Sequence, residues 1–98
     1  MNEMNLKFQN PRPALKINGE MFYVSQNPWL LNMSIRDNVI LDKPFDQKKF
    51  DFAIKYSALD SDLKLFDDGA MRMIADGASN LSGGQRTRVT LARALYQE

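Results

Sequence analysis

Between residues 14 and 25 the apolar positions Leu15, Ile17, Met21, Phe22 and Val24 flank an Asn18-Gly19 pair. Asn-Gly readily takes the positive φ angles of a tight turn, so two short strands meeting at a hairpin are predicted. Gln26-Asn27-Pro28 closes the second strand, because proline disfavours continuation of a ladder and restricts the residue before it. Trp29, Leu30 and Leu31 follow as an apolar loop, exposed or docked on a partner surface. Ser34-Ile35-Arg36-Asp37 then has the form of a helix start, in which the Ser hydroxyl accepts from the third helical N–H and the Asp carboxylate answers back. That helix is predicted through Leu41, with Pro44 as the stop.

Asp46 is placed to cap the next helix, whose Phe50, Ala53, Ile54, Ser57 and Ala58 recur at helical spacing as one stripe facing a core. A third short helix is expected over 60–66, ending at Asp67-Asp68-Gly69, where glycine offers the left-handed terminal residue. Residues 71–78 read as loop or weak strand. The last helix opens at Ser82-Gly83-Gly84-Gln85, a Ser-x-x-Gln capping box, and carries Val89, Leu91, Ala92, Ala94, Leu95 and Tyr96. Residues 1–13, rich in Asn and ending in Pro11-Arg12-Pro13, read as a poorly ordered lead-in. The sum is an α/β segment, mainly helical, with too few strands for a sheet that could cover its own apolar face. It reads as a piece of a larger domain.

Composition narrows the chemistry. Thirteen basic against twelve acidic residues give a net charge of +1, without the one-sided basic field of a nucleic-acid binder. The absence of cysteine and histidine removes disulfides, thiolate zinc sites and Cys- or Ser-His nucleophiles, and fits a reducing compartment. No signal-peptide pattern opens the chain and no apolar run approaches bilayer length, so any membrane attachment is expected through other segments.

Two glycines between a capping Ser and a helix leave several backbone N–H groups at a positive helix end with no side chain to exclude an anion. Taken alone, that tetrapeptide fits an ordinary glycine-rich helix start at least as well. Its setting is more specific. Asn80-Leu81-Ser82-Gly83-Gly84-Gln85-Arg86, followed by Arg88-Val89-Thr90-Leu91-Ala92-Arg93-Ala94-Leu95-Tyr96, resembles the signature motif and helix of ABC-transporter ATPase domains. Upstream, Tyr23-Val24-Ser25-Gln26-Asn27-Pro28-Trp29-Leu30-Leu31-Asn32 is similar to the Q-loop segment of the multidrug-resistance-associated branch, subfamily C, where a tryptophan three residues after the glutamine is typical. Residues 52–69 resemble the helical subdomain that lies between the two motifs.

The resemblance implies a division of 1–13 as lead-in and 14–98 as part of a nucleotide-binding domain of P-loop NTPase type. It implies that Ser82, Gly83, Gly84 and Gln85 face the γ-phosphate of an ATP held by a second nucleotide-binding domain. Gln26 would lie near Mg2+ and the attacking water, as an indirect contact, and Gln26 with Trp29 would form the coupling element toward a transmembrane domain. The implied location is the cytoplasmic face of a membrane, within a transporter. Where the family has Ile-Gly-Glu-x-Gly before the signature, this chain has Ile74-Ala75-Asp76-Gly77-Ala78, and alanine is strained wherever positive φ is needed.

No catalytic residue is assigned within the chain. It contains no Gly-x-x-x-x-Gly-Lys-Ser/Thr and no apolar strand ending in Asp and Glu after the signature, so on its own it is expected to be inactive as an ATPase. The alternative reading is a non-catalytic regulator that offers Ser82 to Gln85 in trans to an intact ABC ATPase, or a gene fragment without independent function.

Overall fold

Asn18 and Gly19 take φ of 54° and 84°, and the chain reverses on these two residues. They join strands β1 (Ala14–Ile17) and β2 (Glu20–Tyr23), which pair antiparallel with Ile17 opposite Glu20 and Ala14 opposite Tyr23. Two positive φ angles match the right-handed twist of the flanking strands, so the predicted hairpin forms. The computed structural model describes residues 14–23 and 29–97. The expected lead-in over 1–13 and the strand stop at Gln26-Asn27-Pro28 lie outside the described residues.

Helix α1 (Ile35–Ile40) is capped by Ser34, whose Oγ accepts from the Asp37 N–H at 3.0 Å. It stops one residue earlier than predicted, with Leu41 at φ 54°. The Asp37 carboxylate makes no return bond to Ser34 among the described residues. Instead the backbone around Ser34 is extended and meets Met73 in an antiparallel bridge, with Ile35 N–H donating to Arg72 O and Ile74 N–H to Met33 O, both at 2.9 Å. The segment 71–78 is therefore one bridge set between two short turns of 3-10 helix, Gly69–Met71 and Asp76–Ala78.

Helix α2 (Gln47–Tyr56) begins where Asp46 Oδ1 accepts from the Lys48 and Lys49 amides at 3.0 and 3.2 Å. Phe50, Ala53, Ile54 and Ser57 are buried as the stripe predicts, but Ala58 is exposed. The helix ends first: Ala58 N–H donates to Lys55 O and Leu59 N–H to Ile54 O, both at 3.1 Å, with Ala58 at φ 65°. This crossed pair is the usual helix terminator, with alanine where glycine normally stands. It turns Leu59, 1% exposed, into the core in place of Ala58. Helix α3 (Asp60–Leu63) is a single turn rather than the predicted 60–66, and Gly69, at φ 55°, opens the following 3-10 turn.

Helix α4 (Gly83–Gln97) packs against both α1 and α2. Val89, Ala92, Leu95 and Tyr96 meet Ile35, Val39, Phe50, Ala53 and Ile54 in one core, which Leu59, Ile74, Ala78 and Leu81 extend. Leu91 and Ala94, predicted on the apolar face, are only partly buried, while Thr90 and Arg93 take interior positions. Thr90 Oγ1 donates to Arg86 O at 3.0 Å, so its hydroxyl is satisfied inside the helix. Tyr96 packs edge-on to Phe50, and its OH accepts from the Asp46 N–H at 2.9 Å and donates to Pro44 O at 2.6 Å. Burial of each large apolar side chain contributes about 1.5–3 kcal/mol, so this cluster rather than the two-stranded sheet holds the helices together. The fold is mostly helical with a short two-stranded sheet, and no described helix is long and apolar enough to cross a membrane.

Ala58 supplies the first prediction. The left-handed conformation costs a residue with Cβ about 1–2 kcal/mol, and glycine gives back about 0.5–1 kcal/mol of that through its freer unfolded chain. Ala58→Gly is thus expected to stabilise by up to ~1 kcal/mol, a rise of a few degrees in Tm for a chain of this size. Thermal melting followed by circular dichroism checks it; an unchanged or lower midpoint would mean that Ala58 carries no strain.

Candidate functional site

The first turn of α4 is built by two reciprocal bonds. Ser82 Oγ accepts from the Gln85 N–H at 3.1 Å, and Gln85 Oε1 accepts from the Ser82 N–H at 2.9 Å. This capping box satisfies the third helical amide and leaves the amides of Gly83 and Gly84 without a partner among the described residues. Ser82, Gly83 and Gly84 are all exposed, and the Ser82 hydroxyl proton is not donated to any described residue. Two free N–H groups and a hydroxyl at a positive helix end can hold an anion.

The two glycines are not equivalent. A Cβ at Gly83 would meet nothing nearer than Arg86 Nη2 at 3.8 Å, an ordinary contact. A Cβ at Gly84 would come within 3.0 Å of Arg88 Nη1. A side chain at Gly84 would have to displace the Arg88 guanidinium by a few tenths of an ångström, whereas Gly83 keeps the helix end bare. An open cleft of about 440 Å³ runs beside this turn, lined by Leu30, Gly77, Ala78, Gly83, Arg86 and Thr87.

The segment before the turn is bent by three left-handed residues in succession, Asp76, Gly77 and Ala78, at φ 52°, 66° and 69°. The expected alanine strain falls on Ala78, which is also 1% exposed, while Ala75 is extended at φ −136° and unstrained. Asn80 ties the bend down, its Nδ2 donating to Met73 O at 2.9 Å and its Oδ1 accepting from the Ala75 N–H at 3.3 Å. Arg86 Nη1 donates to Ala78 O and Leu81 O, each at 3.4 Å. The Asp76 carboxylate accepts no hydrogen bond among the described residues.

Gln26 lies outside the described residues. Trp29 is 51% exposed, and its ring carries the Arg93 guanidinium at 4.1 Å from the centroid. Arg93 is buried, donates from Nε to Asn38 O at 2.9 Å and from Nη2 to Asn38 Oδ1 at 3.2 Å, and faces no carboxylate among the described residues. Burial pushes its pKa down from the usual guanidinium range. Asn38 also clamps the apolar loop, accepting from the Leu31 N–H at 2.7 Å and donating to Leu31 O at 3.0 Å. Trp29, Leu31, Met33, Leu41 and Asp42 line a second, apolar cleft of about 410 Å³. Arg93 brings Trp29 onto α4 about 16 Å along the helix from Ser82 at 1.5 Å per residue, while the neighbouring Leu30 lines the cleft beside Gly83.

Four residues of this architecture escape a reading of periodicity: Asn38, Asp62, Arg88 and Arg93. A polar residue inside an apolar stripe is the available signal for Asn38 and Arg93. Asp62 carries none, because it is one of several acids between 60 and 68. Its carboxylate accepts from Arg88 Nε at 2.5 Å and Nη2 at 3.0 Å. The Arg88 hydrogen bond holds the Asp62 carboxyl below the usual carboxylate range, with the Arg88 charge and the nearby Gln85 side chain adding to it against the effect of burial. Among the described residues no cluster of three or more acidic, His or Cys side chains could hold a metal ion.

The sign of the pH effect follows from that shift. A depressed carboxylate pKa stabilises the fold above the ordinary value near ~3.9, and the contribution is lost as pH falls through the lower folded value. Asp62→Asn should therefore melt below wild type at pH 6, with the gap closing below about pH 4. Parallel stability curves from neutral to acid would exclude Asp62 as the group responsible.

The family model for ABC transporters matches residues 2–98. Multidrug resistance protein mrp-7 of Caenorhabditis elegans is 44% identical over 86 residues, 88% of this chain. ATP-binding cassette sub-family C member 4 of Homo sapiens is 40% identical over 84 residues, 86% of the chain, and ABC transporter C family member 13 of Arabidopsis thaliana is 46% identical over 83 residues, 85% of the chain. The chain spans 6% of the length of each of these relatives. With the match running through both the apolar loop and the bare helix start, the chain belongs to the ABC transporter family, with relatives in subfamily C.

Proposed function

We propose that this chain is the part of an ABC nucleotide-binding domain that runs from the Q-loop through the signature helix, and that Ser82, Gly83, Gly84 and Gln85 close on the γ-phosphate of ATP held by a second such domain. The observation that carries the reading is the capping box that leaves two exposed amides and one hydroxyl unpartnered at the start of α4. These groups fit a phosphate, since backbone N–H donors at a helix end hold negative charge without a competing side chain. Gln85 contributes by orienting the turn. Bound ATP, with Mg2+, would supply the phosphoryl group of the transport cycle.

Residues 14–98 then form the helical subdomain and a short β segment of a P-loop NTPase domain, with 1–13 leading into it. Gln26 and Trp29 belong to the coupling loop toward a transmembrane domain, a role supported by the resemblance of their segment and by the exposure of Trp29. The phosphate-cradling lysine, the Mg2+ ligand and the base would be supplied outside the signature segment, and the whole would work at the cytoplasmic face of a membrane.

The test is association in trans. Mixing the chain with an intact subfamily C nucleotide-binding domain and ATP is expected to give a complex by light scattering that Ser82→Arg abolishes. Gly83→Ala, for which there is room, should keep the melting temperature while weakening association roughly tenfold, the worth of one hydrogen bond to a charged group. If wild type and Ser82→Arg bind alike, the reading fails.

A further inference from the structure

Asp62 is the point at which α3 reaches back onto α4. Asp60, Asp67 and Asp68 are exposed, but the Asp62 side chain is only 9% exposed and meets Arg88, 26 residues on, through two parallel N–H donors. The Arg88 side chain itself stays 35% exposed, so the pair owes its specificity to the bidentate geometry rather than to burial. Arg88 in turn stands over Gly84, so close that a methyl group there would come within 3.0 Å of Nη1 and 3.3 Å of Nη2. The side chain of Gln85 caps Ser82 on the same turn.

We infer that Asp62 is a positioning residue for the phosphate-facing turn: by holding the Arg88 guanidinium against the flank of Gly84 it fixes the first turn of α4. This inference rests on the reading of Ser82 to Gln85 as a phosphate contact. The link is the Arg88 guanidinium, which Asp62 holds and which packs on the flank of Gly84. With the carboxylate withdrawn, the turn can rotate its amides without unfolding the helix behind it, because Val89, Ala92, Leu95 and Tyr96 remain anchored in the core.

The experiment uses the full chain, 15N-labelled, with Asp62→Asn, Asp62→Glu and Arg88→Lys. Asp62→Asn is expected to displace the amide resonances of Gly83, Gly84 and Gln85 and to speed exchange at Gln85 and Arg86 by about tenfold, while α2 amides from Phe50 to Ile54 keep wild-type positions. ATP-dependent association with an intact nucleotide-binding domain should fall by roughly tenfold, and Asp62→Glu should recover most of it. Arg88→Lys, which keeps the charge and loses the fork, should move the same three amides and spare α2. Unmoved amides at 83–85 in both charge-altering and fork-deleting variants overturn the inference, as does a shift of α2 equal to that of the turn. Displaced amides with association intact also overturn it. Failure of the wild-type chain itself to associate defeats the phosphate reading beneath it, and is recognised because no variant is then involved.

Discussion

Val89, Ala92, Leu95 and Tyr96 turn one stripe of α4 into the core shared with α1 and α2, while the first turn of the same helix stays bare. These two demands on one helix organise the rest of the structure. The buried stripe fixes the axis and rotation of α4, since a packed interior tolerates little slippage. The open turn must then be held by short-range devices, because no core reaches it. The Ser82–Gln85 capping box, the Asp62–Arg88 fork and the Arg86 bonds to Ala78 O and Leu81 O are those devices.

The polar interior has a similar logic. Burying a guanidinium is costly unless its donors are met, and Arg93 meets the carbonyl and side-chain oxygens of Asn38 with the Trp29 ring on its open face. Asn38 is itself fully used, because the same side chain also bonds the backbone of Leu31 and Ser34. The network thus ties the apolar loop to α1 and α4 at a single point. Loss of Asn38 or Arg93 leaves buried polar groups of the other without a partner.

Backbone strain marks the places where elements must change direction quickly. Ala58 takes a left-handed angle to end α2 and swing Leu59 inward, and Ala78 does the same beneath the start of α4. Both are alanines where glycine would be relaxed. At Ala78 the methyl group is buried, so contact there offsets the conformational cost; at Ala58 it is exposed and offsets nothing.

Local chemistry determined much of this protein from the sequence alone. The Asn18-Gly19 turn, the caps at Ser34, Asp46 and Ser82 and the free amides of Gly83 and Gly84 depend on residues within four positions of one another, and such local signals carry over into the fold. The family was legible because Asn80 to Tyr96 and Tyr23 to Asn32 are runs of specific residues rather than patterns of polarity. What the tertiary structure decided is separated in sequence. The end of α2 and the exposure of Ala58 go with the turn of Leu59 into a core supplied by α1 and α4. The pairing of Asp62 with Arg88, and of Arg93 with Asn38 and Trp29, joins residues 26 to 64 positions apart, and one acid among several gains its partner only when helix packing brings the right guanidinium over it.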